Sequence, residues 1–298
     1  LSNAIQFSFI IPVYDRLDCT RNIIESLTGT IGQFSFECII VNDASKDDTA
    51  QYLESIEDER IHTISHLHNQ GYAKSTNDGA RIAQGEYLVL LNNDLQLSPG
   101  WLEPMLEVMQ EKPDAGAIGN IQYRLSNGII DHAGIVFDLV GLPDHYGKNY
   151  PYLPAFICRE FPAVTGACML IRREVFNKLG GLDESYRNGC EDVDLCLRLR
   201  QNGYRNFVAG NSRIGHHVSA SPGRHDRDAD NNRILLQKWG DDLVKLGARD
   251  WPFQYLMRYW NRPWLYNGTK LVDAFARLLR LRSGDSKWAR QKRARLLK

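Results

Sequence analysis

Short apolar runs alternate with longer amphipathic stretches along the first third of the chain. Phe7-Ser8-Phe9-Ile10-Ile11-Pro12-Val13 is apolar at nearly every position, as a strand covered on both faces requires. Residues 18–29 follow with apolar side chains at helical spacing. The alternation then repeats. Cys38-Ile39-Ile40-Val41 predicts a second strand and 47–57 a helix; Ile61 to Ser65 predicts a third strand and 72–84 a helix. Tyr87-Leu88-Val89-Leu90-Leu91 predicts a fourth strand, and Pro99 is placed to open another helix, where its missing N–H is not needed. Repeated β-α order predicts an α/β fold: a doubly wound, mostly parallel sheet with helices on both faces.

The second half is less regular. Residues 115–140 read as strands, with Ser126-Asn127-Gly128 as a turn. Ala167 to Ile171 reads as a strand, Arg173 to Leu179 as a short helix closed by Gly180-Gly181, and Glu191 to Asn202 as a helix stopped by Gly203. Residues 224–250 are polar and partly helical in pattern, and no internal repeat is present.

Doubly wound sheets bind ligands beyond the carboxyl ends of their strands. The polar residues fall there: Tyr14-Asp15-Arg16 after strand one, Asn42-Asp43-Ala44-Ser45 after strand two, Asn92-Asn93-Asp94 after strand four. Each group has two readings. Asn92-Asn93-Asp94 is either a polar turn or a carboxylate held for a hard cation, which takes oxygen ligands and bridges to a diphosphate. Asp43 either caps the next helix or accepts hydrogen bonds from a base or ribose. Asn69-Gln70-Gly71, with Lys74 in the following helix, is a turn or an anion site at a helix N-terminus. Glu191 and Asp192 open a helix, where acids complement the dipole; they point about 100° apart, so one can serve as a general base while the other caps. His216-His217 is an exposed pair or a metal ligand, with Ser219 and Ser221 after it.

Composition narrows the classes. The 298 residues carry 36 Lys plus Arg and 36 Asp plus Glu, so no net charge argues for a nucleic-acid partner. Six cysteines without a CxxC pair, several inside apolar runs, point to buried reduced thiols and a cytoplasmic setting. No apolar run of transmembrane length and no signal peptide appears. Ser2-Asn3-Ala4 looks like an expression-tag scar, so residues 1–4 are excluded from the fold.

Taken together, residues 6 to about 222 resemble glycosyltransferase family 2, on the GT-A fold. The resemblance rests on the order Ile11-Pro12-Val13-Tyr14-Asp15-Arg16, Val41-Asn42-Asp43-Ala44-Ser45, Asn69-Gln70-Gly71, Asn77-Asp78-Gly79, Asn92-Asn93-Asp94, Thr165-Gly166-Ala167, Gly180-Gly181-Leu182-Asp183-Glu184 and Glu191-Asp192-Val193-Asp194-Leu195, with His216. It implies a GT-A catalytic domain over 5–222, divided into a nucleotide-binding half (5–98) and an acceptor-binding half (99–222), with a helical C-terminal extension over 223–298. It also implies an inverting transfer of sugar from a UDP- or dTDP-linked donor to a hydroxyl of a glycan or lipid-linked glycan. Pro12, Tyr14 and Arg16 would line the nucleotide pocket, with Asn69, Gly71, Lys74, Asn92 and Asn93. Asp43 would contact the base. Asp94 matches the last position of the family's DxD metal motif and His216 the later histidine, together holding Mn²⁺ or Mg²⁺. Asn92 departs from that motif and removes one negative charge, which gives His216 more weight. Asp192 matches the catalytic base, with Glu191 beside it. The last three motifs are similar to rhamnosyltransferase-like enzymes of O-antigen and other surface polysaccharides.

Two other functions compete. A nucleotidyltransferase making nucleotide sugars would carry a Gly-rich basic loop where Pro12-Val13-Tyr14-Asp15-Arg16 stands. A non-catalytic sugar-nucleotide-binding module would not need Asp192. From Gly268 to Lys298 ten Lys or Arg face two Asp, and Leu271, Phe275, Leu278, Leu279 and Leu281 fall near helical spacing. That pattern fits a basic amphipathic helix on the inner face of the cell membrane, or a helix packed on the catalytic domain.

Overall fold

The computed structural model describes residues 5–148, 150, 153–217 and 227–298. Ser219 and Ser221 lie outside them. Strands β1 (Phe7–Val13), β2 (Phe36–Asn42), β3 (Ile61–Ser65) and β4 (Tyr87–Leu91) alternate with helices α1 (Leu17–Thr30), α2 (Thr49–Glu54) and α3 (Tyr72–Ile82). A two-residue β5 (Leu95–Gln96) precedes α4 (Glu103–Glu111) and β6 (Ala115–Arg124). Then come β7 (Ile130–His132), β8 (Ile135–Phe137), β9 (Pro143–His145), β10 (Cys158–Phe161) and β11 (Cys168–Arg172). Helices α5 (Arg173–Lys178) and α6 (Glu191–Gln201), strand β12 (Arg205–His216), and helices α7 (Asp228–Arg258), α8 (Gly268–Leu278) and α9 (Lys287–Leu296) complete the chain.

The main sheet runs β10-β12-β6-β11-β4-β1-β2-β3. The four strands β3-β2-β1-β4 are mutually parallel, as the β-α alternation predicts. β6 and β12 are also parallel to each other, and β11 lies antiparallel between β6 and β4. Side chains alternate between two cores. Ile10, Ile39, Leu88 and Leu90 enter one; Phe9, Ile11, Ile40 and Val89 enter the other, with Trp101 and Met105. Both faces are covered, which explains the unbroken apolar runs of β1 and β4.

Two elements differ from the sequence reading. Pro99 does not open a helix; it sits with Gly100 in a turn, and Pro104 occupies the first turn of α4. The same preference operates five residues later. The second difference is α7, a 31-residue helix. Leu235, Leu236, Trp239 and Leu243 from it enter the first core, and Trp251 and Tyr255 build a third cluster with Leu139, Val140, Ala274 and Ala289. Gly247 marks its closest approach: a Cβ there would lie 2.1 Å from the Asp138 carbonyl oxygen.

Candidate active site

The carboxyl ends of β1, β2 and β4 open onto a cavity of about 760 Å³ whose opposite wall comes from α6, the β8–β9 hairpin and the start of α7. The loops after β1 and β2 are tied together. The Asp15 amide donates to Ser45 Oγ (2.9 Å), the Lys46 amide to Asp15 Oδ1 (2.6 Å) and the Leu17 amide to Asp47 Oδ2 (3.0 Å). Asp15 and Arg16 take left-handed backbone conformations (φ 54° and 61°), which turn the chain sharply from β1 into α1.

Asp43 is buried. Its carboxylate accepts from the Gln70 amide and the Gly71 amide, each at 2.8 Å, and lies 2.8 Å from His66 Nδ1. It therefore folds Asn69-Gln70-Gly71 against the sheet, and about one of its four lone-pair positions stays open toward a ligand. Gly71 supplies φ 87° at this bend, a conformation that suits glycine. Its amide serves Asp43, and Asn69 is the member of the tripeptide that lines the cavity.

Pro12, Tyr14, Asn92, Asn93 and Asp94 also line it. Lys74 and Arg16 are not on that lining. Lys74 turns to Asp78 at 2.6 Å, one helical turn along α3. Arg16 makes paired contacts with Asp18 at 3.1 Å, which raise its pKa; the Asp94 charge adds a smaller push in the same direction. His66, which carried no sequence signal, bridges Asp43 to Asp78 (2.8 and 3.1 Å) and so joins the loop to α3.

Where β5 pairs with β12, Asp94 Oδ1 lies 3.3 Å from His216 Nε2, both side chains buried. Strand pairing sets this contact: His216 is in register with Leu95, and the His217 amide donates to the Asp94 carbonyl. His217 itself is exposed. Neither ring nitrogen of His216 makes a hydrogen bond among the described residues, although the ring is 4 % exposed. A buried imidazole with open nitrogens beside a carboxylate fits a divalent cation. No group of three or more such ligands gathers among the described residues. A cation held here would take its remaining ligands from phosphate and water, as Mg²⁺ does with few protein carboxylates.

Asp192 lines the cavity from the first turn of α6. Its Oδ2 accepts from the Gly166 amide and its Oδ1 from the Val193 amide, each at 2.7 Å. Gly166 is in turn held by the Tyr72 hydroxyl, which donates to its carbonyl at 2.8 Å. Burial drives the Tyr72 phenol well above its ordinary pKa, so it remains a donor. Glu191 points differently and accepts from the Gly189 amide at 2.6 Å. Asp194, the third acid of this turn, is fully buried and takes Arg198 Nε (2.7 Å), Trp239 Nε1 (2.8 Å) and Lys238 Nζ (2.6 Å). It anchors α6 to α7, and α7 supplies Asp228 and Asn232 to the cavity wall.

The model of glycosyl transferase family 2 matches residues 8–180, more than half the chain. The chain belongs to that family. Within it, the chain is 34% identical over 223 residues to the O-antigen biosynthesis protein RfbC of Myxococcus xanthus, covering 72% of this chain and 17% of that protein. It is 28% identical over 151 residues to the N-acetylglucosaminyl-diphospho-decaprenol L-rhamnosyltransferase of Mycobacterium tuberculosis, covering 47% of this chain and 49% of that one. The chain thus spans less than half the length of either relative. The GT-A fold is shared with GalNAc-T7, whose crystal structure holds UDP, GalNAc and Mn²⁺: the TM-score is 0.66 at 16% identity, over 99% of this chain and 57% of the other.

Proposed function

We propose that this family 2 chain is an inverting glycosyltransferase. It would move a sugar from a UDP- or dTDP-linked donor to a hydroxyl of a glycan or lipid-linked glycan, in the synthesis of surface polysaccharide. The observation that carries the reading is one cavity lined by both Asp192, fixed by two backbone amides, and Asp94, with buried His216 standing behind the lining at 3.3 Å from the Asp94 carboxylate. The names of the relatives, an O-antigen biosynthesis protein and a rhamnosyltransferase, support the acceptor class.

The nucleotide lies against Pro12 and Tyr14, with Asp43 and Asn69 beside the base. Asp94 and His216 are the residues that would hold Mn²⁺ or Mg²⁺, and such an ion would supply Lewis-acid stabilisation of the departing diphosphate. The acceptor oxygen attacks the anomeric carbon as the bond from that carbon to the diphosphate oxygen breaks, and Asp192 takes the hydroxyl proton. One in-line displacement inverts the centre, and no covalent enzyme intermediate forms. Binding and turnover across UDP-, dTDP- and GDP-sugars with Mn²⁺ or Mg²⁺ test the reading. Wild type should select one donor only with metal present, and Asp94→Ala should lose that binding. A folded wild type that binds no nucleotide, or one that releases pyrophosphate from nucleoside triphosphate and sugar phosphate, sinks it.

A lipid-linked acceptor would bring the enzyme to a membrane surface, and the exposed apolar face of α8 supports that reading. No helix among the described residues is long and apolar enough to cross a bilayer. Yet α8 buries Asp273 and Arg277, while its Val272, Phe275 and Leu278, and Leu279 just past its end, are between 47 and 68 % exposed. Asp273 is enclosed by Arg277, Arg282, Ser286 and Trp288, and Asp285 by Arg290 and Arg293. Both acids of the 268–298 segment are therefore spent internally, and its remaining charge is positive. An apolar face among unneutralised cations complements an anionic lipid surface. Flotation with phosphatidylglycerol vesicles should carry wild type and not Phe275→Ser/Leu279→Ser, while phosphatidylcholine vesicles carry neither. Wild type left unbound, or a concentration-dependent dimer abolished by the same pair of changes, overturns the lipid reading.

A further inference from the structure

The cavity lining is lopsided in charge. Six carboxylates face it (Asp43, Asp94, Asp144, Glu191, Asp192 and Asp228), and among the described residues its one lysine is Lys148. This lysine follows β9, on the side of the sheet where β7 pairs with β6. The nucleotide residues come from β1 and β2, with β4 and β11 between them and β6. Topology therefore puts Lys148 across β4 from the residues that β1 and β2 bring to the cavity.

Its immediate surroundings leave its charge in excess. Lys148 Nζ lies 3.7 Å from Asp131 Oδ1, beyond hydrogen-bond distance. Asp131 is buried and already held by Arg124 at 2.8 Å. Two cations share one carboxylate. The neighbouring His145 does not add a third: burial and Lys148 push its pKa down, and its Nδ1 faces the Asp131 carbonyl at 3.3 Å. That contact fixes the ring as an Nδ1–H donor at neutral pH. Asp144, the nearest acid in sequence, is taken by Arg258 at 2.5 and 2.6 Å. Lys148 is thus a cation beside Asp131, 35 % exposed, on the wall of a cavity whose carboxylates outnumber it.

We infer that Lys148 binds a phosphate of the acceptor, and so selects acceptors whose sugar is carried on a diphosphate. The inference rests on the glycosyltransferase reading above and names its acceptor chemistry. A nucleotide donor offers the same chemistry, so the test separates the two sources. Lys148→Gln removes the charge at a partly exposed position and leaves the fold intact; Lys148→Arg keeps the charge.

The first arm is calorimetric titration with geranyl diphosphate in EDTA, which needs neither metal nor turnover. Lys148→Gln should weaken binding about tenfold or more, the scale of a lost hydrogen bond to a charged group, and Lys148→Arg should restore most of it. The second arm compares kcat/KM for one acceptor sugar on a prenyl diphosphate with the same sugar as a neutral alkyl glycoside. Lys148→Gln should erase the preference for the diphosphate form without changing UDP–Mn²⁺ affinity. A loss confined to UDP–Mn²⁺ affinity assigns the contact to the donor and overturns the acceptor assignment. No change in any arm overturns the phosphate contact altogether. A wild type that binds geranyl diphosphate through Lys148 but no nucleotide leaves this inference standing in its first arm and removes the donor reading.

Discussion

Asp192 shows how the proposed base is held from a distance. Its two oxygens are fixed by the amides of Gly166 and Val193, and Gly166 is fixed by a tyrosine 94 residues earlier. Asp192→Asn keeps the shape and removes the base, so transfer should fall about 10²–10⁴-fold with donor binding unchanged. Tyr72→Phe removes only the hydroxyl. It should lower kcat by about tenfold, the weight of one hydrogen bond, with little change in donor KM. Steady-state kinetics with saturating donor separate the two effects, and an Asp192→Asn enzyme of wild-type rate removes the base assignment. The motifs make Asp94, Asp192 and His216 legible as candidates, because each stands at a strand end or a first helical turn. Tyr72 and His66 are not legible, since their partners are far away in sequence and are met only in three dimensions.

Helix α7 decides more of the site than its polar sequence promises. Its apolar positions are spread along a 31-residue length with Asp, Asn and Lys between them. Sequence pattern alone gives partial helix there. Packing shows a helix that carries Trp239 and Lys238 to the buried Asp194, and Asn231 to both backbone groups of Arg187. The close approach at Gly247 is a test of this docking. Gly247→Ala drives a methyl against the Asp138 carbonyl, and overpacking of this kind should cost about 1–3 kcal/mol in urea unfolding. An unchanged midpoint means that α7 docks less tightly than it does here. The shift of the helix start from Pro99 to Pro104 has a smaller cause: both prolines suit a first turn, and only the one followed by buried Met105, Leu106, Val108 and Met109 has a face to bury.

On the scale of the whole molecule, the C-terminal quarter is packed into the core and should not be removable without loss of the fold. A chain ending at residue 222 would lose Leu235, Leu236, Trp239 and Leu243 from the first core, so it should unfold without cooperativity or fail to stay soluble. Circular dichroism through a urea titration checks this. The same core sets a pH dependence. Burial, then His145 and His216, hold the His132 pKa well below the usual imidazole value. The unfolded chain binds that proton near pH 6.5 and the folded one does not. Stability from His132 is therefore present above about pH 6.5 and is lost as pH falls below it. Wild type should lose more stability than His132→Asn between pH 7.5 and 5.5.

The sequence by itself determined the β-α alternation, the parallel half of the sheet and the strand ends where polar residues collect. Those depend on period and on turn chemistry, which are local. It also determined the family, through motifs whose order is readable without a fold. Only the tertiary structure decided which polar residues meet. It turned Lys74 and Arg16 toward their own helices, bent Asn69-Gln70-Gly71 around Asp43, and set His216 rather than His217 beside Asp94. It brought α7 and Lys148 to the cavity wall as well. The physical reason is the same in each case. A charged side chain satisfies the partner that packing places nearest, and the sheet brings together residues that are far apart along the chain.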